Sequence, residues 1–386
     1  LLEPDFNREG ERKMSVRGRL FSVKQPYLLE ETNGLFLSAM RENCAYQYNH
    51  CGPYRKILDG LGFAPEQLRV YEDLARLPFL PTLFFKSHEL LTMPRGRTPI
   101  EATSSGTSGK MSRIAFDTYG LYCGLKMVLR LGRLHGLFSA VPANYVLLGY
   151  KHHKGNQTAI TKTAFGATLF TPAIHREYAL KFKDGGYKAD LDGVICALLK
   201  YSRSSFPVRL VGFPSYTYFL LKSMDEQGIS LKLKKGSRIL LGGGWKQFYQ
   251  EQVEKHILYR LAEKVLGIEE NKIHEFFGAV EHPVLYCDCK NHHFHIPAYS
   301  RVIIRDANTL EPVKNGETGL VSLLTPMVYG APVLSVMTDD LGVLHDAAEC
   351  GCGIGSPYLE IIGRVGLSDI KTCAAGAAEL LRGLEL

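Results

Sequence analysis

The loop TSSGTSGK at residues 103–110 has the composition of a phosphate-binding site. Its glycines let the backbone turn several N–H groups toward one point, and the Ser and Thr hydroxyls add further donors for polyphosphate oxygens. The loop departs from the Walker pattern, because only two residues separate Gly106 from Gly109 and no Ser or Thr follows Lys110. A solvated linker is the alternative interpretation, since stretches rich in Ser and Gly commonly connect elements.

Two further segments follow predicted strands, at the strand ends where α/β sheets bind ligands. They are SRILLGGGWK (237–246) and FFGAVEH (276–282). In the second segment Glu281 lies just past the strand end, where a carboxylate can hold Mg²⁺ on a nucleotide. Two alternatives stay open. Close packing of a helix on the sheet explains the glycines, and an ordinary acid at a helix start explains Glu281.

A pair of adjacent acids ends another strand, in TDDLG (338–342). Two neighbouring carboxylates can chelate a ribose diol or a metal, although turns rich in Asp also occur without a ligand. Asp340 is the better candidate of the two. The segment GRVGLSDIKTC (363–373) follows, and it places Arg364 and Lys371 near a candidate hinge of the chain.

Four Cys and three His are concentrated in CDCKNHHFH (287–295) and CGCG (350–353). Zn²⁺ prefers thiolates and imidazoles at such short spacings. The sequence predicts a structural zinc site that ties the late strands to the segment before the hinge, with the ligands Cys289, His295, Cys350 and Cys352. The remaining residues of the two segments stay open as alternative ligands or bystanders, namely Cys287, His292 and His293. Reduced surface thiols are the competing interpretation, and four protein ligands would leave no open position for catalysis.

The predicted secondary structure that positions these residues changes along the chain, from strands alternating with helices to consecutive strands. Strands are predicted at 144–150, 208–214, 237–244 and 272–279, and helices at 119–138, 216–228 and 246–267. Strands that alternate with helices imply a parallel sheet from about 140 to 280. Later strands follow one another directly, at 300–306, 319–326 and 333–342, which predicts a smaller antiparallel or barrel-like unit. The fold class is therefore α/β, with mostly parallel sheets flanked by helices, a small β-barrel-like unit and a short tail.

The predicted domains are an α/β core at 1–284, a β-rich subdomain at 285–365 and a C-terminal tail at 366–386. The 386 residues, 45% of them hydrophobic and 22% charged, match an ordinary globular enzyme. No run is apolar enough for a membrane span or a signal peptide, so we expect a cytoplasmic protein. The formal net charge of +7 is scattered, which does not indicate a nucleic-acid partner. Nine cysteines without an export signal indicate thiols, metal ligands or a nucleophile.

Five of these motifs occur in the order found in the adenylate-forming superfamily: TSSGTSG, GGGWK, FFGAVEH, TDDLG and GRVGLSDIK. More closely, the chain resembles the acyl-protein synthetases (LuxE type) of bacterial luminescence systems, with the phenylacetate-CoA ligases next nearest. The closer resemblance covers nearly the full chain, from FSVKQPYLLE (21–30) to DIKTCAAGAAEL (369–380). It implies the large-domain fold of adenylate-forming enzymes with a truncated C-terminal tail.

The resemblance also implies an activity and assigns residues to it. The chain would activate a carboxylic acid, a long-chain fatty acid in the luminescence family, with ATP to an acyl-AMP. The resemblance implies that Glu281 holds Mg²⁺ and that ATP is bound by Thr103, Ser104, Ser105, Gly106, Thr107, Ser108, Gly109, Lys110, Gly243, Gly244, Phe277, Gly278, Asp340 and Arg364. Within this set the loop would hold the phosphates, and Asp340 would accept hydrogen bonds from the ribose hydroxyls. Four residues would border the adenine: Gly243, Gly244, Phe277 and Gly278.

The sequence departs from the family pattern in two places. Ser112 occupies the position of the phosphate-loop lysine, so Lys110 or Arg113 would have to supply that charge. We also expect too little chain after the hinge for the C-terminal domain of about a hundred residues that carries the adenylation lysine. Lys371 or Lys246 would then replace that lysine.

The resemblance places the acyl acceptor at Cys373, in KTCAAG. A thiolate can take the acyl group from an acyl-AMP as a thioester, and Lys371 can help to lower the pKa of the thiol. A buried cysteine that packs a terminal helix is the alternative. The implied partner is an acyl reductase that receives the acyl group on a thiol. Two other functions stay open: a stand-alone acyl- or aryl-CoA ligase, and a zinc-stabilised protein without catalysis that serves as a scaffold.

Overall fold

The computed structural model describes residues 14–94, 96, 98–103, 111–151, 166–183, 185–245, 248 and 251–364. Its helices are α1 (Val16–Leu20), α2 (Leu29–His50), α3 (Gly52–Gly60), α4 (Thr82–Ser87), α5 (Thr118–Leu134), α6 (Leu191–Ser202), α7 (Pro214–Glu226), α8 (Lys255–Leu266) and α9 (Ala347–Cys350). Short 3-10 helices lie at Pro65–Gln67, Tyr71–Arg76 and Glu270–Lys272. None of the described helices has the length and apolar character needed to cross a membrane.

The strands are β1 (Leu80–Pro81), β2 (Ile100–Thr103), β3 (Arg113–Phe116), β4 (Ala143–Tyr150), β5 (Ala173–Lys183), β6 (Gly186–Ala189), β7 (Val208–Gly212), β8 (Arg238–Gly242), β9 (Ile273–Phe277), β10 (Tyr286–Cys287), β11 (Phe294–His295), β12 (Arg301–Arg305), β13 (Thr318–Leu324), β14 (Ser335–His345) and β15 (Tyr358–Arg364). Every strand predicted above is present, and the mixed α/β class is confirmed.

The described chain packs as two units. The first unit comprises the residues up to Leu131 together with those from Gly278 onward, and the second unit is Gly132–Phe277. The N-terminal residues therefore pack with the β-rich residues. The domains predicted from the sequence are consecutive segments, so they do not include this packing between the two ends of the chain. The three-part division itself stays a prediction.

A parallel sheet forms the second unit, with strands in the order β9, β8, β7, β4 and β5, and β6 pairs antiparallel with β5. The central strands are almost continuously apolar, as expected for a sheet covered by helices on its faces. Side chains of α6, α7 and α8 pack with those of the strands in one core, whose members include Val146, Leu198, Leu210, Leu221, Leu241 and Leu266. The parallel sheet predicted for about 140–280 is confirmed.

The start of helix α8 corrects one prediction. Apolar spacing predicts a helix over 246–267, but the helix begins only at Lys255. Phe248 contributed to that spacing, and its ring packs against the rings of Tyr216 and Phe219, with centroids 5.8 and 5.0 Å apart. Phe248 therefore matches the apolar spacing of a helix although it precedes α8, because its ring packs against helix α7.

An antiparallel sheet dominates the first unit, in the order β11, β15, β14, β13 and β12. This agrees with the antiparallel pairing predicted for the late strands. Strand β1 joins the sheet as a parallel neighbour of β14, with Leu80 opposite Val336 and Pro81 opposite Met337. The N-terminal part of the chain thus reaches β14, although it is more than two hundred residues away in sequence.

A bulge interrupts β14 within the acidic motif. Met337 lies opposite Ser322 and Leu341 lies opposite Leu320, so the three residues 338–340 of β14 face the single residue Val321 of β13. Bulges re-aim side chains and commonly occur next to functional sites. The sequence TDDLG is therefore a bulged segment rather than a strand end.

Candidate active site

The hairpin of β2 and β3 brackets the predicted phosphate loop. Its strands pair so that Thr103, the last residue of β2, lies opposite Arg113, the first residue of β3. Residues 104–110, which include Lys110 and the glycines of the loop, lie outside the described residues. After the loop, Ser112 is buried, Arg113 is exposed and Ile114 is buried.

Ser112 contacts the predicted magnesium ligand directly. Its hydroxyl donates a hydrogen bond to Oε1 of Glu281. Glu281 is only 5% exposed, so the first buried residue after the predicted phosphate loop, Ser112, contacts a buried carboxylate. Gly278 favours a close approach of the backbone before Glu281, because a Cβ there would lie 3.1 Å from the carbonyl oxygen of Val284.

The imidazole of His282 anchors the turn that carries Glu281. This ring is fully buried, and its Nε2 lies 3.1 Å from the hydroxyl of Tyr286 and 3.0 Å from that of Ser300. The backbone N–H of His282 donates to the carbonyl of Ala279 at 3.1 Å, which closes the turn. Burial lowers the pKa of His282 to about 3, so the ring is neutral near pH 7.

The carboxyl group of Glu281 is short of positive charge. Burial raises its pKa, while the hydrogen bond from Ser112 lowers it. Lys86 also lowers the pKa of Glu281, and Asp339 raises it. No Lys or Arg among the described residues forms a salt bridge with this carboxyl. A divalent cation would relieve the deficit, since Mg²⁺ takes one or two protein carboxylates together with phosphate oxygens. The donor set therefore fits Mg²⁺.

The two acids of the β14 bulge have different partners. Asp340 lies directly opposite Arg364 of β15, whose Nε donates to Asp340 Oδ1 at 3.1 Å. Burial raises the pKa of Asp340, and the guanidinium of Arg364 acts against that shift. Asp339 instead accepts a hydrogen bond from the hydroxyl of Thr82, at the start of α4. The structure thus brings Asp340 and Arg364, both predicted from the sequence, into contact.

In the second unit, the predicted adenine-binding residues Gly243, Gly244 and Phe277 lie at the ends of two neighbouring strands. Gly243 and Gly244 come directly after β8 with φ of 82° and 65°, in the left-handed region that favours glycine. Gly242 of β8 pairs with Phe276 of β9, so Gly243 and Phe277 lie at the same end of this parallel sheet. Their contact with adenine stays a prediction.

Several predicted residues lie outside the described parts of the chain. They are the loop residues from Ser104 to Lys110, together with Lys246, Lys371 and Cys373. The roles assigned to them, including that of Cys373 as the acyl acceptor, stay predictions.

The four predicted zinc ligands come together in the first unit. The ligand atoms of Cys289, His295, Cys350 and Cys352 all lie within 4.8 Å of one another. The sulfurs of Cys289 and Cys350 are 3.5 Å apart, and the sulfur of Cys352 is 3.1 Å from His295 Nε2. Tetrahedral zinc, with bonds of about 2.0–2.3 Å, places its ligand atoms about 3.3–3.8 Å from one another; the contact between Cys289 and Cys350 lies within this range, and the contact between Cys352 and His295 is slightly shorter. The cluster therefore fits a structural zinc ion.

Backbone groups orient these ligands. The backbone N–H two residues after each of Cys289 and Cys352 donates to the sulfur of that cysteine at 3.3 Å. The Nδ1 of His295 lies 2.6 Å from the carbonyl oxygen of Ser356, which leaves Nε2 directed at the cluster. Gly351, between the two later cysteines, has φ 66°, so the chain can turn sharply there. Burial raises the pKa of the Cys350 thiol to about 12, so metal binding would have to displace its proton.

The alternative ligands have other surroundings. His292 lies with its Nδ1 2.6 Å from the carboxylate of Asp288. The Nδ1 of His293 is 3.1 Å from the Cys350 sulfur, which places that ring beside the cluster rather than within the group of four. Cys287 is fully buried and also lies outside that group.

Four residues of this region carried no assignment from the sequence: Thr82, Lys86, His282 and Asp339. Two signals were present, because Asp339 belongs to TDDLG and His282 follows Glu281. Thr82 and Lys86 gave no signal, since the bond from Thr82 to Asp339 spans 257 residues. Only the parallel pairing of β1 with β14 brings α4 to the acidic bulge.

Comparison with known proteins gives consistent results. Residues 20–381 match the sequence profile of the family described as acyl-protein synthetase, LuxE. The long-chain-fatty-acid–luciferin-component ligase of Vibrio harveyi is 26% identical over 361 residues, which cover 92% of this chain and 90% of that protein. The ligase of the same name from Aliivibrio fischeri is 25% identical over 94% of this chain and 93% of its own. A phenylacetate-coenzyme A ligase of Thermus thermophilus is 23% identical over 83% and 68% of the two chains.

A solved structure of 2-hydroxyisobutyryl-CoA ligase in an open conformation has a similar fold, with a TM-score of 0.64. The two proteins are 16% identical, and the match covers 88% of this chain and 77% of the other, so the likeness concerns the fold alone. The family profile, by contrast, spans nearly the whole sequence. The resemblance inferred from the motifs is confirmed: the chain is a ligase that belongs to the LuxE acyl-protein synthetase family.

Proposed function

We propose that the chain activates a carboxylic acid with ATP and passes the acyl group to its own Cys373. The observation that carries the proposal is the hydrogen bond from Ser112 to Glu281, because it puts a buried, charge-deficient carboxylate directly after the phosphate loop. The curated relatives are named as ligases of long-chain fatty acids. We therefore propose a long-chain fatty acid as the substrate.

In the first half-reaction, a carboxylate oxygen of the acid forms a bond to the α-phosphorus of ATP while the bond to pyrophosphate breaks. Loop residues 103–109 would donate hydrogen bonds to the phosphates, and Asp340 would accept from the ribose hydroxyls. Mg²⁺, held by Glu281, would neutralise phosphate charge when bound. The ion pair with Arg364 would hold the carboxylate of Asp340 in place for the ribose.

In the second half-reaction, the thiolate of Cys373 would attack the acyl carbon of the acyl-AMP. A thioester forms and AMP leaves, while the thiol proton goes to solvent. Lys371 would favour the thiolate by its charge. The acyl group would then move by thioester exchange to a thiol of an acyl reductase partner.

We also propose that Cys289, His295, Cys350 and Cys352 bind one structural zinc ion. With four protein ligands the ion has no open position, so it would stabilise the fold without entering the reaction. The site joins β11 and β15 to the segment after β14, because His295 pairs with Tyr358 and the two later cysteines lie between those strands.

The first half-reaction is tested by ATP–pyrophosphate exchange with a series of acids of increasing chain length. We expect exchange that requires the acid and Mg²⁺ and that is fastest with long-chain fatty acids. Absence of exchange with every acid would contradict the proposed function and support a scaffold that lacks catalysis.

The second half-reaction is tested with radiolabelled fatty acid and the variant Cys373→Ser. The wild type should acquire label that hydroxylamine releases, and the variant should exchange pyrophosphate normally yet stay unlabelled. Cys196→Ser is the matched control, because Cys196 is an exposed thiol on α6. Full labelling of Cys373→Ser, or release of AMP that depends on CoA and not on Cys373, would favour a CoA ligase instead.

A further inference from the structure

The acidic region of the first unit needs a cation that can meet the phosphates of ATP. Three carboxylates lie there: Glu281, Asp339 and Asp340. Arg364 is already paired with Asp340. Ser112 gives Glu281 a hydrogen bond but no charge. Beside the Mg²⁺ that Glu281 would hold, a polyphosphate next to these three acids needs a further positive group to offset their charge.

Arg113, one of the two cations proposed from the sequence, is poorly placed for this task. Its neighbours Ser112 and Ile114 are buried, whereas Arg113 is exposed. Arg113 therefore lies in solvent, whereas Ser112 meets Glu281 in a buried position. The other candidate, Lys110, lies outside the described residues.

Helix α4 brings a different lysine to the acidic bulge. Pro81 pairs with Met337 in parallel strands, so the chain that follows Pro81 runs alongside the start of the bulge. There the hydroxyl of Thr82 donates to Asp339. Lys86 follows Thr82 by four residues, and residues at this spacing share one face of a helix. Lys86 therefore lies on the face of α4 that meets the acids.

Lys86 shares a face of α4 with Thr82, whose hydroxyl donates to Asp339, so its charge lies on the side of the helix that meets the acids. Within the described ranges, Lys86 forms no hydrogen bond or salt bridge, and it is only partly buried. A partly buried ammonium group without a partner in the described parts of the chain suits a phosphate oxygen.

We propose that Lys86 supplies the positive charge that binds the polyphosphate of ATP, a charge that Ser112 cannot provide. The inference rests on the proposed function, because it assigns a residue to the ATP site of that reaction. It names a group on α4, far in sequence from the glycine-rich loop, as a binding residue for the β- and γ-phosphates.

The test compares Lys86→Met, Lys86→Arg and the matched control Arg113→Met. Two ligands are measured on each variant: ATP, and an acyl-adenosine sulfamate, which resembles acyl-AMP but lacks the pyrophosphate. We expect Lys86→Met to raise the KM and the Kd for ATP by about 10- to 100-fold, the usual effect of losing a hydrogen bond to a charged group. Affinity for the sulfamate and the KM for the fatty acid should not change. Lys86→Arg should recover most of the ATP affinity, and Arg113→Met should behave as wild type.

The outcomes separate this inference from the function on which it rests. Wild-type exchange together with unaltered ATP affinity in Lys86→Met would overturn the role of Lys86 alone. An equal loss of ATP and sulfamate affinity would show that Lys86 only supports the structure. A loss of ATP affinity in Arg113→Met, with Lys86→Met unaffected, would assign the charge to Arg113. Failure of the wild type to exchange pyrophosphate at all would contradict the proposed function itself.

Discussion

Strands β14 and β15 carry two clusters of polar residues that are built in opposite ways. At one end of β15, Tyr358 pairs with His295 beside the cysteines, and at the other end Arg364 pairs with Asp340. The sulfur cluster is closed, because its four ligand atoms lie within 4.8 Å of one another and backbone groups bond Cys289, Cys352 and His295. The acidic cluster is open, because its carboxylates outnumber their cationic partners among the described residues.

The difference shows how one sheet can separate stability from chemistry. A closed set of ligands can only hold an ion. A buried carboxylate such as Glu281, which has no salt bridge to any of the described residues, leaves a charge for a substrate or Mg²⁺ to satisfy. We therefore expect damage to the sulfur cluster to lower stability, and damage to the acidic cluster to lower activity. The following experiments test that contrast.

The largest effect is expected from Glu281→Gln, which should lower the rate of pyrophosphate exchange by about 100-fold or more. The substitution keeps the shape of the side chain and removes the charge that would hold Mg²⁺, and losses of one electrostatic group commonly have this size. Exchange kinetics and thermal unfolding measure the two properties together. Glu263→Gln, at an exposed position on α8, is the control. A melting temperature that falls along with activity would break the contrast between the clusters.

Cys350→Ser should act in the opposite sense. We expect loss of one bound zinc per chain and a decrease of about 3 kcal/mol or more in the free energy of unfolding, since metal binding contributes directly to folding. Exchange by the protein that remains folded should be retained. Elemental analysis measures the zinc content and urea unfolding measures the free energy of unfolding, with Cys196→Ser as the control. If wild-type protein without zinc were as stable as protein with zinc, the proposed structural role of the cluster would be wrong.

Low pH should destabilise the turn that carries Glu281, because the buried ring of His282 is neutral in the folded protein. Its pKa of about 3 in the fold is below its ordinary 6.5, so the unfolded chain binds a proton that the folded chain excludes. The stability from this group is complete above pH 6.5 and is lost as the pH falls toward 3. Between pH 7.5 and pH 5 the wild type should lose about 2 kcal/mol more than His282→Gln in urea unfolding. Parallel curves for the two proteins would show that His282 is not buried as described.

The smallest effect is expected from Asp340→Asn. Loss of the acceptor for the ribose should raise the KM for ATP by about tenfold. The free energy of unfolding should change by less than about 1 kcal/mol, because Arg364 is half-exposed and such ion pairs contribute little. Exchange kinetics over a range of ATP concentrations checks the first value. A change in the KM for the fatty acid instead would move Asp340 out of the nucleotide site.

Local patterns in the sequence predicted much of this molecule. Apolar runs such as NYVLLGY identified the parallel strands, and the short Cys and His spacings identified the four residues that cluster. What the sequence could not predict depends on distant pairing. The partnership of β1 with β14 brings Thr82 and Lys86 to Asp339, and the bulge at 338–340 exists only through its register with Val321.

The pairing of β15 also has a consequence for transfer of the acyl group. Arg364 is fixed to β14 beside Asp340, and Cys373 follows it by nine residues. Even a fully extended chain of that length spans only about 30 Å. A thiol joined to the sheet by so few residues would have an effective concentration of up to about the millimolar range. In the proposed reaction the acceptor would need no binding affinity of its own, because its attachment to the sheet already keeps it within reach of the adenylate.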